Sequence, residues 1–151
     1  MADEPLIYEN QFNVQGGNFN DAGKVASHIK AILKGFGIPS EAVRKTALVA
    51  YESEINIVSY ARKGVIHLRL APDQIVIETI DEGSGIADIE LAMQEGYSTA
   101  TDKIREMGFG AGMGLANIRN FSDIFQISSE PGKGTSLKMI IKWQPKGIED
   151  D

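Results

Sequence analysis

The chain has 151 residues, 42% hydrophobic and 24% charged, the size and composition of one ordinary globular domain that buries a core without metal or disulfide support. Its net charge of -6 and pI near 4.9 exclude a general attraction to nucleic acid or anionic lipid. The absence of cysteine excludes disulfides, thiolate zinc sites and a thiol nucleophile.

The acidic start MADEPLIYENQ lacks the basic flank and apolar run of a signal peptide, and no apolar stretch reaches membrane-spanning length. The expectation is a cytoplasmic protein with no membrane partner and no direct nucleic-acid partner. No repeat or linker divides the sequence, so residues 1–151 are expected to form a single domain with a frayed tail at 145–151. Residues 6–14 have mixed strand character. Asn18 to Asp21 can cap a helix running to about Phe36 and stopped by Gly35 and Gly37. Ser40 then offers a cap for a second helix, in which Val43, Ala47, Ala50, Glu54, Ile57 and Val58 recur at helical spacing towards a stop at Gly64.

Beyond Gly64 the period changes to two. VIHLRLA, the turn APDQ and IVIETID read as a β-hairpin with about seven residues per strand. The stretch Asp81 to Gly114 holds seven of the 16 glycines around a short helical piece near Ile86 to Gln94, and so long a segment with little regular structure is usually functional or mobile. A helix in GLANIRNFSD follows, then FQISSE, the turn PGKG and TSLKMIIKW as a second hairpin. The pattern predicts an α/β two-layer sandwich, with a mixed, largely antiparallel sheet covered on one face by helices.

Four segments carry candidate chemistry. In YESEINIVSYA, Glu52 and Asn56 are four residues apart and share a helix face, whereas Glu54 points roughly 160° away from Asn56. A carboxylate beside an amide oxygen suits a hydrated magnesium ion, or a base that aligns an attacking oxygen; an exposed polar helix face is the plainer reading. In IETIDEGSGI, Asp81 at a strand end is placed to accept a hydrogen bond from an amino group such as that of adenine, or is simply a turn residue. In EMGFGAGMGLANIRN, Gly108, Gly110, Gly112 and Gly114 lead into a helix, a natural phosphate cradle or a glycine hinge. PGKGTS is most simply a turn, from which Thr135 can still reach a site. Neither a P-loop nor a dinucleotide fingerprint is present: Lys133 is followed by Gly134, and Met113 stands where the last glycine of GxGxxG would fall.

The ordered set decides between these readings. ExxxN on a helix, DxGxG after a strand, GxGxG before a helix and GxGT before a strand together resemble the Bergerat ATP-binding fold of the GHKL superfamily. The resemblance spans about residues 10–143. The wording LVAYESEINIVSYA, DEGSGI, QEGYSTA and GAGMGLANIRNFSD looks most like the small bacterial serine kinases of sigma-factor regulation and the stressosome switch.

That resemblance implies ATP and Mg2+ as ligands. Glu52 would be the catalytic base and Asn56 the metal ligand, while Asp81 would read the adenine amino group. Gly83 and Gly85 would let the adenine and ribose approach the backbone, Gly110, Gly112 and Gly114 would wrap the phosphates, and Ile86, Gly108, Met113, Leu115 and Thr135 would be further nucleotide-binding residues. Residues 94–113 would form a lid carrying Ser98, Thr99, Lys103 and Arg105, with Ser98 and Thr99 touching nucleotide. Arg62 and Lys63 follow the metal helix and would either offset phosphate charge or sit at a solvated helix end.

The implied function is a serine/threonine-protein kinase of the anti-sigma-factor type. Its implied partners are a STAS-domain antagonist protein or a sigma factor, with a homodimer as a further possibility. The alternative is a nucleotide-gated module that sequesters a sigma factor or activates a regulator without phosphotransfer; a third is ATP hydrolysis coupled to lid closure. A histidine kinase fits less well. His28 is followed by Ile and Lys, no dimerisation hairpin is expected before the domain, and His28 and His67 read as ordinary helix-face and strand residues.

Overall fold

The computed structural model describes residues 6–83, 85, 93 and 114–144. Five strands, β1 (Tyr8–Gln15), β2 (Ala61–Ala71), β3 (Gln74–Gly83), β4 (Ile124–Glu130) and β5 (Gly134–Lys142), form one sheet in the order β1-β2-β3-β5-β4. All four of these pairings are antiparallel. Three helices, α1 (Lys24–Gly35), α2 (Ser40–Tyr60) and α3 (Gly114–Asn120), complete the described elements, and the result is the expected α/β sandwich with helices on one face. The short helical piece at 86–94, the lid at 94–113 and the tail at 145–151 lie outside the described residues, apart from Met93.

Period-two patterning sets the two faces of the sheet. Ile66, Leu68 and Leu70 of β2, Ile75 and Ile77 of β3, and Leu137, Met139 and Ile141 of β5 point inward and are buried. The alternate positions include polar groups that pair across strands, His67 with Glu9 at 3.3 Å and Arg69 with Glu78, together with the apolar register pairs Val65–Ile80 and Val76–Ile140. On the helical side, Ala26, Ile29 and Leu33 of α1 and Val49, Ile57 and Val58 of α2 close the core, with Ile118 from α3. Each of the larger side chains contributes about 1.5–3 kcal/mol on full burial.

Three boundaries differ from expectation. Asn18 caps no α-helix: its amide donates to Asp21 at 2.8 Å beside a short 3-10 turn at Phe19–Asp21, and α1 starts only at Lys24. The free amino end of α1 is met from another helix, as Val25 and Ala26 N–H donate to the buried Glu54 carboxylate at 3.2 and 3.0 Å. The carboxyl end of α1 stops as expected. Ile38 N–H bonds to Leu33 O and Gly37 N–H to Lys34 O, the six-to-one and five-to-two bonds of a Schellman stop, with Gly37 at φ +73°.

Ser40 makes no capping bond either; it is the first residue of α2, behind Pro39. At its other end α2 does not run to Gly64. It ends at Tyr60, the chain becomes extended at Ala61, and β2 begins there, so the hairpin strands have 11 and 10 residues instead of about seven. Gly64 serves packing: a Cβ there would stand 2.9–3.1 Å from the Ile57 side chain. Helix and strand therefore approach closely across it.

Candidate functional site

Helix α2 lies at the centre of the molecule, packed against α1, α3 and four of the strands. From Ser53 to Val58 its residues are therefore buried on nearly every side, Asn56 being half-buried. Within YESE the two glutamates diverge, as their spacing requires. Glu54 is 2% exposed and turned to α1, whereas Glu52 is half-buried and turned to α3, where Asn117 Nδ2 donates to its Oε2 at 3.5 Å. Ser53 Oγ donates within the helix to Val49 O at 2.8 Å.

Gly114, at the start of α3, is the point where Glu52 and Asn56 meet a second element. A Cβ on Gly114 would lie 3.2 Å from Asn56 Oδ1 and 3.4 Å from Glu52 Oε1. An amide oxygen and a carboxylate oxygen thus face the same side-chain-free position, the space that a methyl group would fill. Both are hard oxygen donors, which suits magnesium. No cluster of three or more His, Cys, Asp or Glu occurs among the described residues.

The strand end bearing Asp81 lies on the helix-facing side of the sheet. In the β3–β5 register Asp81 pairs with Thr135, and Asp81 Oδ1 accepts from Gly83 N–H at 3.0 Å and Thr135 N–H at 3.2 Å. Its other oxygen is therefore the one available to an amino group. Beside it, Ser129 Oγ and Thr135 Oγ1 are 2.8 Å apart, and Ser129 Oγ donates to Gly134 O at 3.1 Å. The Gly134 backbone presses on Asp81 so closely that any side chain there would overlap the Asp81 carbonyl, and one at Gly85 would overlap that of Glu130. Gly83 adjoins the end of α2, where an added Cβ would stand 3.0 Å from Tyr60 O. That contact is one helical turn from Asn56, so the α2–α3 cluster and the strand-end cluster share one end of the sandwich.

Burial pushes the Glu52 carboxyl above its ordinary value, and the Asn117 amide opposes that shift. Asp81 is likewise raised by burial, against the two backbone N–H groups of Thr135 and Gly83. Arg62 and Lys63 belong to β2 and not to a helix end. Both have a carboxylate partner in Glu82, ion-paired to Arg62 and 3.6 Å from Lys63 Nζ, and the Arg62 guanidinium holds Glu82 below the ordinary range.

Of the candidate site residues, the structure places Glu52, Asn56, Asp81, Gly83, Gly85, Gly114, Leu115 and Thr135; Leu115 is half-buried against the core. Ile86, Ser98, Thr99, Gly108, Gly110, Gly112 and Met113 lie outside the described residues, as do Lys103 and Arg105. Sequence reasoning missed Asn117, Ser129 and the capping role of Glu54. Only Glu54 carried a signal, as a carboxylate on an otherwise apolar helical stripe.

An antiparallel sheet with helices on one face, and an acid–amide pair on the central helix facing a glycine-led third helix, define a domain of the GHKL ATPase class. The sequence profile of the histidine kinase-like ATPase domain matches residues 19–141, and the chain belongs to that family. It is 39% identical over 100 residues to the anti-sigma F factor of Caldanaerobacter subterraneus subsp. tengcongensis, a match of 66% of this chain and 62% of that one. The chain thus spans less than two thirds of that relative's length. It is 34% identical over 113 residues to the serine/threonine-protein kinase RsbT of Bacillus subtilis, covering 72% of this chain and 77% of RsbT. Among solved structures, a chain of the SiaB-SiaC complex from Pseudomonas aeruginosa superposes with a TM-score of 0.59 over 91% of this chain and 90% of that one. At 14% identity this is a likeness of fold.

Proposed function

We propose that the chain binds ATP with magnesium and transfers the γ-phosphate to a serine or threonine hydroxyl of a STAS-domain regulatory partner. The observation that carries this reading is the convergence of Glu52 and Asn56 on the side-chain-free position at Gly114. Asp81 supports it, with one carboxylate oxygen committed to backbone N–H groups and the other left for the adenine amino group. Asn56 would hold the magnesium ion, which supplies charge neutralisation to the phosphates.

Glu52 accepts the hydroxyl proton as the acceptor oxygen forms its bond to the γ-phosphorus. The bond from that phosphorus to the bridging oxygen breaks, and ADP leaves with the electron pair. A half-buried carboxylate raised by burial is a better proton acceptor than a free one. Gly83, Gly85 and Thr135 border the adenine end on this reading, and Gly114 and Leu115 the phosphate end.

A second reading has its own support, since several of the relatives are named anti-sigma F factor. In that reading the same pocket gates the binding of a sigma factor and no phosphate is transferred. Incubating the chain with γ-labelled ATP, magnesium and the STAS proteins of its own organism separates the two. Label on a partner serine or threonine, abolished by Glu52→Ala with ATP binding retained, supports the kinase. ATP binding with no transfer to any candidate supports the gated module.

A further inference from the structure

A glutamate that works as a base must present one oxygen in a fixed direction, and its side chain is long and rotamer-rich, so ordering it costs conformational entropy. The neighbours of Glu52 on α2 do not perform that ordering. Ser53 bonds back to Val49, Glu54 is engaged with α1, and Asn56 faces the same space as the Glu52 oxygen to be oriented. Among the described residues, the contact that distinguishes the two carboxylate oxygens comes from α3. Asn117 Nδ2 approaches Oε2 to 3.5 Å, while Oε1 is the oxygen nearest Gly114. Asn117 follows Gly114 by three residues and so shares its face of α3.

We propose that Asn117 is a positioning residue: its amide N–H holds Glu52 Oε2, leaving Oε1 to receive the proton of the acceptor hydroxyl. This deepens the kinase reading and rests on it. The residue type fits the task. An amide donates without carrying charge, so it orients the carboxylate with less loss of basicity than a lysine or arginine partner would cause. Its own backbone is fixed, because Ala116 and Ile118 on either side are buried and Ser122 Oγ donates to Ile118 O at 2.6 Å. The 3.5 Å separation is at the long end for a hydrogen bond, and contacts around reacting groups commonly tighten as substrate binds.

The test is Asn117→Asp, a change of nearly equal shape that replaces the donor with a charged acceptor, read beside Asn117→Leu, which removes the donor without adding charge. At saturating ATP, phosphotransfer should slow about 10- to 100-fold, as losses of an orienting partner do, with the dissociation constant for ATP unchanged within about threefold. In a Glu52→Gln background the same substitution should leave the residual rate unchanged, because Asn117 acts through Glu52. The inference is overturned if Asn117→Asp transfers phosphate at the wild-type rate, if it slows the Glu52→Gln protein as much as the wild type, or if the loss is all in ATP affinity. A Glu52→Gln protein as active as wild type defeats the base reading itself. Loss of transfer in Glu52→Gln with Asn117→Asp unaffected defeats only the role of Asn117.

Discussion

At the scale of single residues, the two glutamates of YESE show how phase along one helix separates structure from chemistry. Glu54 shares the apolar stripe of Ala50 and Val58, and its carboxylate meets the helix-end N–H groups of Val25 and Ala26. Glu54→Ala would leave both donors without a partner, the Val25 N–H part-buried and the Ala26 N–H buried. It should cost about 2–4 kcal/mol in urea unfolding, and Glu54→Gln less, because an amide oxygen still accepts one of the two bonds. Gly114→Ala should show the reverse profile. Gly114 is the first residue of α3, where the helix-interior preference for alanine of about 0.5–1 kcal/mol applies only in part, so thermal stability should change by less than about 1 kcal/mol. The added methyl crowds Asn56 and Glu52, so affinity for ATP should fall about tenfold by calorimetry, roughly 1.4 kcal/mol.

The raised carboxyls give a pH signature at the same scale. Asp81 binds its proton more tightly in the folded chain than its ordinary value of 3.8 implies. Its contribution to stability is therefore fully present below the unfolded value and is lost as pH rises through the folded one. Asp81→Asn keeps an oxygen for the Gly83 and Thr135 N–H groups and removes the buried charge. Relative to wild type, the variant should gain stability as pH is raised from about 4 to 7, while ATP affinity is lost. A constant difference across that range in pH-dependent urea melts would contradict the burial argument.

At the scale of elements, α2 unites fold and site because it runs directly into β2 without a loop. This junction depends on Gly64, against which Ile57 packs. Gly64→Ala should cost about 1–3 kcal/mol through overpacking, and Ile57→Val in the same chain should recover part of that loss. If the two costs simply add, the contact is not the cause. The period of two in VIHLRLA and IVIETID and the helical period before them were legible in the sequence, because burial on one face enforces them. The boundaries were not. Asn18 and Ser40 have the chemistry of caps, yet α1 is capped by Glu54 from across the core, and α2 follows Pro39 directly. A tertiary partner had replaced the local one in the first case, and local propensity carries no record of that.

At the scale of the whole molecule, the candidate site was legible as an order of motifs and not as a geometry. ExxxN, DxGxG and GxGT are far apart in the chain. The sheet order β1-β2-β3-β5-β4 sets β5 beside β3, so that Thr135 falls opposite Asp81, and α3 brings Gly114 and Asn117 to Glu52. Asn117 and Ser129 could not be read from spacing, because their partners, Glu52 and Thr135, are fixed by how α3 packs and how β4 pairs with β5. Among the described residues no helix is long and apolar enough to cross a membrane. The most direct measurement of the central claim is titration of the chain with ATP and magnesium by calorimetry, for wild type, Asp81→Asn and Asn56→Ala. The expected result is saturable binding by wild type, loss in Asp81→Asn, and loss of the magnesium dependence in Asn56→Ala. Equal binding by all three proteins, or no binding by the wild type, would contradict it.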